Sequence, residues 1–165
     1  MSALGKSLCV AFALMLGAPL HAGEILLSVS GDVAAPETGD SWTFDMEALR
    51  ALPSTRIETT TIWTEGRQSF EGVSLDVLLD HVGAAQGEIE ASALNDYTVT
   101  IPTDDAVPGG PIIAYLHDGK EMSVREKGPL WIMYPFDDNE SYRSEDYYAR
   151  SIWQLDRLRI VAKTR

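Results

Sequence analysis

The stretch that most constrains the fold is Arg56 to Leu79, RIETTTIWTEGRQSFEGVSLDVLL, in which a β-branched run leads through a turn into a helix. Val, Ile and Thr side chains are stiff at χ1 and pack well on a pleated surface, so residues 57–63 are predicted to form a strand. The helix is predicted to begin at Ser74, a suitable N-cap, and to end at Gly83.

The turn between this strand and this helix combines an aromatic ring with a cation. Trp63 and Arg67 flank Gly66, which relaxes the local backbone. Loops held between rigid elements often carry binding residues. We therefore expect this loop to hold a flat polar ligand.

The rest of the chain alternates short β-type segments with turn residues. Asp45 is predicted to cap a first helix that ends before Pro53, and Asp118-Gly119 is a strong hairpin turn. Residues 135–148 are predicted to be a polar, acidic and aromatic loop. We predict a β-rich α+β domain with mixed sheets and few short helices. Its strands are predicted at residues 24–30, 42–44, 57–63, 89–94, 97–101, 112–116 and 130–134, and residues 151–155 and 158–162 are predicted to form a final strand or pair of strands.

The first 22 residues have the pattern of a signal peptide. Lys6 precedes the apolar run 8–16, and small residues follow at 20–22. The run is shorter than the ~20 residues that cross a bilayer, so we expect a periplasmic or secreted protein, with a retained anchor as the alternative. Residues 23–165 are then predicted to be one domain.

Cysteine and charge exclude several functions. The only cysteine, Cys9, lies in the predicted signal peptide, so the processed chain would have no thiol for disulfides, thiolate catalysis or metal ligation. The formal net charge is −12, and an acidic protein is repelled by nucleic acids and anionic lipids. The charge serves solubility or, alternatively, an acidic docking face.

Five motifs follow one another along nearly all of residues 24–162: WTEGR, FEGVSLDVLL, ALNDYTVTIP, DGKEMSVREKGPLWIMYP and ARSIWQLDRLRIV. Their order and spacing resemble the molybdopterin-binding domain of the sulfite oxidase family. This resemblance implies the fold of that domain and a site for the organic, pterin part of its cofactor.

One departure from the family concerns the chemistry. The cysteine that ligates molybdenum in the family corresponds to Thr59 or Thr60, and a threonine hydroxyl does not replace a thiolate on that metal. The chain is therefore similar to the small cysteine-free periplasmic members, some of which bind free pterins and report to membrane enzymes of cyclic-di-GMP signalling. We expect a pterin ligand, no metal and no catalytic residue.

Candidate ligand-binding residues follow from a pterin's flat faces and polar edge. Trp63 and Arg67 match the loop beside the family's cysteine, Tyr97 matches its active-site tyrosine, and Asp96 could accept hydrogen bonds from the ring edge. Each also has a structural interpretation, as a core residue, a surface charge or a cross-strand aromatic. Trp153 is expected to pack in the core. The full predicted set is Thr60, Trp63, Arg67, Asp96, Tyr97, Arg125, Lys127, Gly128, Arg150 and Ser151.

Other polar groups are weaker candidates. The run 137–140 offers oxygen ligands but lacks the spacing of a calcium loop, which favours a solvated loop. His81 and His117 have no nearby histidine or cysteine partner in sequence, so a metal site or a histidine-dependent hydrolase is disfavoured. The tyrosines at 142, 147 and 148 could close over a ligand or dock a partner.

Three hypotheses for the function remain. The first is an exported, non-catalytic pterin-binding protein that is read by a membrane-bound sensor, either a kinase or a cyclic-di-GMP enzyme. The second is a molybdopterin-dependent oxidoreductase or its subunit. The third is an interaction domain whose cleft has no ligand.

Overall fold

Two five-stranded sheets organise the protein. The computed structural model describes residues 23–164, so the predicted signal peptide and Cys9 lie outside the described residues. No helix within 23–164 is long and apolar enough to cross a membrane. The strands are β1 (Leu27–Gly31), β2 (Trp42–Phe44), β3 (Ser54–Thr60), β4 (Arg67–Ser74), β5 (Gly87–Ala93), β6 (Thr98–Pro102), β7 (Ile112–His117), β8 (Lys120–Glu121), β9 (Trp131–Met133) and β10 (Leu155–Ala162).

The first sheet has the order β2-β1-β10-β5-β6, and the parallel pair β1–β10 makes it mixed. In the second sheet β3, β4, β7 and β8 are neighbours in that order, and β9 also pairs with β7. Short helices accompany the sheets: α1 (Met46–Ala51), α2 (Leu75–His81) and α3 (Glu145–Arg150). The predicted fold class is confirmed.

The first two helices begin and end at residues that the sequence identifies. Asp45 accepts a hydrogen bond from the backbone N–H of Ala48 at 2.8 Å and caps α1. Ser74 occupies the N-cap of α2, but its hydroxyl bonds to the Asp76 carboxylate instead of capping the backbone. Gly83 follows α2 with a φ of +60°, the left-handed conformation that commonly ends a helix.

Four local predictions were wrong. Residues 151–154, predicted as part of a strand, precede β10 and form only an isolated bridge at Trp153. The strand predicted at 57–63 lies at Ser54–Thr60, so Trp63 belongs to the following loop. The segment before α2 forms β4, which pairs with β3 along its whole length. Part of the predicted loop 135–148 belongs to α3, whose acidic first turn and terminal arginine suit the helix dipole.

The segment before β10 joins the two sheets. An isolated bridge pairs Trp131 of β9 with Trp153, and Ile132 donates its N–H to the carbonyl of Ile152 at 2.9 Å. Leu155 opens β10 and donates to the carbonyl of Leu130 at 3.0 Å. Residues 151–154 are therefore fixed by the second sheet just before the chain enters the first.

Gly72 allows β4 and β7 to approach closely at a bulge. The register shifts between Glu71 and Gly72, and a Cβ on Gly72 would overlap the carbonyl oxygen of Ile113 and lie 2.6 Å from the Cα of Ala114. Only a residue without a side chain fits there.

We expect Gly72→Ala to lower the free energy of unfolding by about 2 kcal/mol or more, because backbone must move to admit the methyl group. Gly66→Ala is the control: Gly66 has a φ of +72° and open space around its Cα, so only the conformational cost of about 1 kcal/mol applies. Urea denaturation measures both variants. Equal losses would show that packing at the bulge does not matter.

Candidate functional site

The end of β3 is tied to the loop after β9 by one carboxylate. Asp137 accepts hydrogen bonds from the backbone N–H of Thr60 at 2.8 Å, from the Thr60 hydroxyl at 2.6 Å and from the Arg143 guanidinium at 2.8 Å. The Asp137 N–H in turn donates to the hydroxyl of Thr59, which is fully buried, at 3.1 Å. The hydrogen bond from the Thr60 hydroxyl is the main reason that the pKa of Asp137 lies below its ordinary value of 3.8.

These contacts do not fit a molybdenum ligand at this position. The Thr60 hydroxyl uses its only hydrogen on Asp137, and the Thr59 hydroxyl donates to the carbonyl of Thr60 while accepting from Asp137. Hydroxyl groups are harder and far less acidic than a thiol. Among residues 23–164, no three His, Cys, Asp or Glu side chains cluster as a metal site would require.

A hydroxyl-centred turn positions Trp63. The Thr61 hydroxyl accepts hydrogen bonds from the N–H groups of Trp63 and Thr64, at 3.1 and 3.0 Å. The half-buried Trp63 ring then meets Trp131 and Trp153 edge to face, with centroids at 5.6 and 6.0 Å. These arrangements favour a fixed ring over a mobile one.

Three chain segments surround a cleft of about 380 Å³ beside Trp63. They are the loop after β3, the β5–β6 turn, and the stretch from the end of α3 to the residues before β10. The volume suits a small ligand, and the lining is mostly apolar and aromatic. We name this the aromatic cleft, lined by Ile62, Trp63, Ala93, Asn95, Tyr97, Tyr148, Ala149, Ser151, Ile152 and Trp153.

The aromatic cleft has polar groups that remain open to a ligand. Trp42 and Trp131 donate their indole N–H groups to backbone carbonyls, whereas Trp63 and Trp153 have no such partner among the described residues. Asn95 accepts a hydrogen bond from the N–H of Tyr97 at 3.2 Å through its side-chain oxygen, which leaves its NH₂ group for other contacts. The cleft thus offers flat faces together with a few donors.

Three of the predicted residues line the aromatic cleft: Trp63, Tyr97 and Ser151. Tyr97 is 56% exposed, so its ring is available for stacking. Ser151 is buried, and its hydroxyl donates to the carbonyl of Tyr147 at 2.8 Å, which makes it a structural part of the wall. Thr60 lies at the base of the loop that carries Trp63 and is bound to Asp137.

Arg67 and Asp96 were also predicted to bind the ligand, but in the structure they contact other protein groups and do not line the aromatic cleft. Arg67 is exposed, and its guanidinium donates to the backbone carbonyl of Glu58 on the edge strand β3 at 3.1 Å. The Asp96 carboxylate is 2.7 Å from the guanidinium of Arg157, and Asn95, its neighbour, lines the cleft instead.

Arg150 also faces away from the aromatic cleft. Its guanidinium pairs with Asp105 at 3.0 Å and lies over the ring of Tyr147. Asp105 accepts a further hydrogen bond from the hydroxyl of the fully buried Tyr134 at 2.8 Å. Burial, together with the neighbouring Asp105, raises the pKa of Tyr134, so this group is a neutral structural donor.

The remaining predicted residues lie around a second cleft. Arg125 and Lys127 line it, and the Lys127 ammonium is 4.1 Å from the ring centroid of Trp153 in the aromatic cleft. Gly128 is buried, and a side chain there would collide with the backbone of Met122. This glycine therefore allows the loop to pack closely against the chain before it.

Sequence analysis missed several lining residues. Trp153 was expected in the core but is 38% exposed and forms part of the cleft wall. Tyr148 was predicted only as one of three tyrosines that could close over a ligand or dock a partner; it lies in α3, which was not predicted, lines the cleft and meets Trp63 edge to face at 5.8 Å. Ile62 was assigned to the strand predicted at 57–63, but it lies in the loop after β3, is exposed and lines the cleft next to Trp63.

Comparison with known proteins identifies the fold. No family model and no curated protein matches the sequence. Among the solved structures that match is the sulfane dehydrogenase SoxCD from Paracoccus pantotrophus, with a TM-score of 0.61 and 19% sequence identity. The match covers 83% of this chain and 38% of the dehydrogenase chain. This likeness supports the predicted sulfite oxidase-type fold and does not by itself establish an activity.

We expect Asp137→Ala to lower the free energy of unfolding by about 1–3 kcal/mol, because the donors on Thr60 and Arg143 lose their acceptor. Asp138→Ala removes the adjacent, exposed carboxylate and should change it by no more than about 0.5 kcal/mol. Chemical denaturation at neutral pH measures both. Similar values for the two variants would contradict a special role for Asp137.

The same contact has a predicted pH dependence. Because the pKa of Asp137 is lowered by folding, its stabilisation is present above 3.8 and is lost as the pH falls through the lower folded value. The wild-type protein should therefore lose stability more steeply than Asp137→Ala below that pH. Denaturation curves at several pH values measure this difference. If the free energy of unfolding falls equally with pH in the wild-type protein and in Asp137→Ala, this linkage is wrong.

Proposed function

We propose that this protein is a non-catalytic pterin-binding protein, exported from the cytoplasm, that reports ligand occupancy to a membrane signalling protein. The observation that carries the proposal is the aromatic cleft, which combines exposed rings with hydrogen-bond donors that have no partner among the described residues. The fold shared with a dehydrogenase supports a cleft for a heterocyclic ligand by analogy.

A pterin ring matches the chemistry of the cleft. Its flat faces can stack on Tyr97 or on the exposed part of Trp153. Its edge carries donors and acceptors, for which the Asn95 amide and the unpaired indole N–H groups are suitable partners. Fixed aromatic neighbours reduce the entropy that Trp63 would lose on binding, because the ring is already held in place.

The residues at the end of β3 support a protein without catalytic activity. In the resemblance to the sulfite oxidase family, Thr59 or Thr60 stands where the metal-binding cysteine would be, and both hydroxyls are engaged by Asp137 or nearby backbone. Without a soft thiolate, the site lacks the family's direct protein bond to molybdenum. The chain would bind the organic ligand without transferring electrons.

Exposed apolar side chains around the aromatic cleft support the proposed signalling role. Ile62 and Tyr97, at the mouth of the cleft, and Leu94 in the adjoining β5–β6 turn are all exposed. A ligand that covers or reorders these side chains would change an apolar surface that a partner can read. The periplasmic region of a membrane sensor is the partner class that we propose, consistent with the signal-peptide pattern in residues 1–22.

A second candidate function is a molybdopterin-dependent oxidoreductase or one of its subunits. The similarity to a sulfane dehydrogenase favours it. The cofactor would then be held without a protein thiolate. Metal analysis of the purified full-length protein separates the two functions: we expect far less than one molybdenum atom per chain, and a stoichiometric amount with redox activity would favour the enzyme.

Titration with a reduced pterin, followed by quenching of tryptophan fluorescence under anaerobic conditions, tests the proposal. We expect saturable binding that Tyr97→Ala weakens by about tenfold, as expected for loss of one stacking ring. Because the Tyr97 side chain is exposed, the variant should fold normally. Trp63→Leu should also weaken binding.

Val107→Ala is the matched control, because Val107 is 42% exposed but does not line the aromatic cleft. Its affinity should equal that of the wild-type protein. If the wild-type protein binds no reduced pterin, the proposed function is wrong. If Tyr97→Ala and Trp63→Leu both bind as the wild type does, the ligand lies outside the aromatic cleft. Absence of binding by the wild-type protein would favour the third hypothesis, an interaction domain whose cleft has no ligand.

A further inference from the structure

The second cleft gathers cations that have no carboxylate partner. It measures about 460 Å³ and lies beside the hairpin of β7 and β8. Of the eleven lysines and arginines between residues 23 and 164, seven have a carboxylate oxygen within salt-bridge distance. Of the other four, Lys120, Arg125 and Lys127 line this one cleft, and Lys163 lies at a different cavity.

The carboxylates of the same cleft are already engaged. Glu121 pairs with Arg50 at 2.9 Å. Glu126 accepts hydrogen bonds from the backbone and the hydroxyl of Ser123, and the hydroxyl bond is the main reason that its pKa is lowered. Asp118 accepts from a backbone N–H of β4 at 2.9 Å. Lys120 is near enough for its charge to contribute to the lowered pKa of Glu126, but none of these carboxylates is within salt-bridge distance of Lys120, Arg125 or Lys127. The three cations can therefore bind an external anion.

Lys127 connects the two clefts. Its backbone carbonyl accepts from the N–H of Gln154 at 2.9 Å, so the residue is fixed against the segment before β10. Its ammonium lies 4.1 Å from the ring centroid of Trp153, in the aromatic cleft, and 5.7 Å from that of Trp131, in the cation-lined cleft. An anion held by Lys127 would therefore lie beside a ring bound in the aromatic cleft.

We infer that the cation-lined cleft binds an anionic group, a phosphate or a carboxylate. Such a group gains charge-assisted hydrogen bonds from Arg125 and the two lysines, and a protein with a net charge of −12 offers few other places for it. The group is either a free oxyanion or the acidic substituent of a ligand whose ring occupies the aromatic cleft. The second source rests on the proposed function, whereas the first does not.

Titration of inorganic phosphate into the full-length protein at low ionic strength, followed by NMR, tests the anion site. We expect Arg125→Ala to weaken phosphate binding by about tenfold, the loss expected for one charge-assisted hydrogen bond. Arg125 is exposed, so the variant should fold. Lys127→Asn should have a similar effect, since asparagine tolerates the left-handed backbone that Lys127 adopts.

Lys163→Ala is the matched control, because it removes one positive charge that lines a different cavity and has no carboxylate partner within residues 23–164. Its affinity should remain within about twofold of the wild type. Equal weakening by Lys163→Ala and Arg125→Ala would overturn the inference, because net charge alone would then explain binding. Failure of the wild-type protein to bind phosphate, with no preference for an acidic pterin, would overturn it as well.

A reduced pterin and its phosphate ester distinguish the two sources of the anion. If the ester binds about tenfold more tightly and Arg125→Ala removes that advantage, the anion is a substituent of the ring-bearing ligand. Equal affinities, with inorganic phosphate still bound, assign the cleft to free oxyanions. If neither pterin binds but phosphate does, the anion site stands and the proposed function fails.

Discussion

The contact between Thr60 and Asp137 fixes the local arrangement on which the site depends. It joins the end of β3 in the second sheet to the loop that follows β9. That loop carries the buried Phe136, which packs near both Trp63 and Tyr148. One satisfied carboxylate therefore anchors the base of the loop that carries Trp63 to the loop that carries Phe136, and it also engages the hydroxyl of Thr60, one of the two positions that the resemblance matches to the metal-binding cysteine.

The two neighbouring clefts offer different interactions: the aromatic cleft offers ring faces for stacking, and the cation-lined cleft offers positive charges for an anion. Rings from β9, the loop after β3 and the segment before β10 form a rigid apolar surface around Trp63. Lys127 lies at its border and brings positive charge close to Trp153 without burying an unpaired ion. In an acidic protein whose other cations are mostly paired, this local charge favours a ligand that is flat at one end and anionic at the other.

Local sequence signals predicted much of the fold. The Asp45 cap, the Asp118-Gly119 hairpin and the termination at Gly83 depend on neighbouring residues alone, and all three occur as expected. The strand β4 was missed because its sequence, RQSFEGVS, has no clear alternation, and it is stabilised by pairing with β3 and β7. Tertiary pairing of this kind has no local signature.

The site was harder to predict than the fold because side-chain partners come from distant segments. Asp96 was predicted to bind the ligand because of its place beside Tyr97, but its carboxylate accepts a hydrogen bond from Arg157, 61 residues later in the chain. Arg150 is likewise taken by Asp105. Trp153 was expected to pack in the core, but it is 38% exposed and lines the cleft. Spatial neighbours decided each of these outcomes.

A crystal structure of the protein grown with a reduced pterin tests the central claim most directly. The account predicts a ring in the aromatic cleft, in contact with Tyr97 or Trp153, while Thr60 remains hydrogen-bonded to Asp137 and no metal lies between them. A cleft closed by its own side chains, or a molybdenum centre at the end of β3, would contradict it.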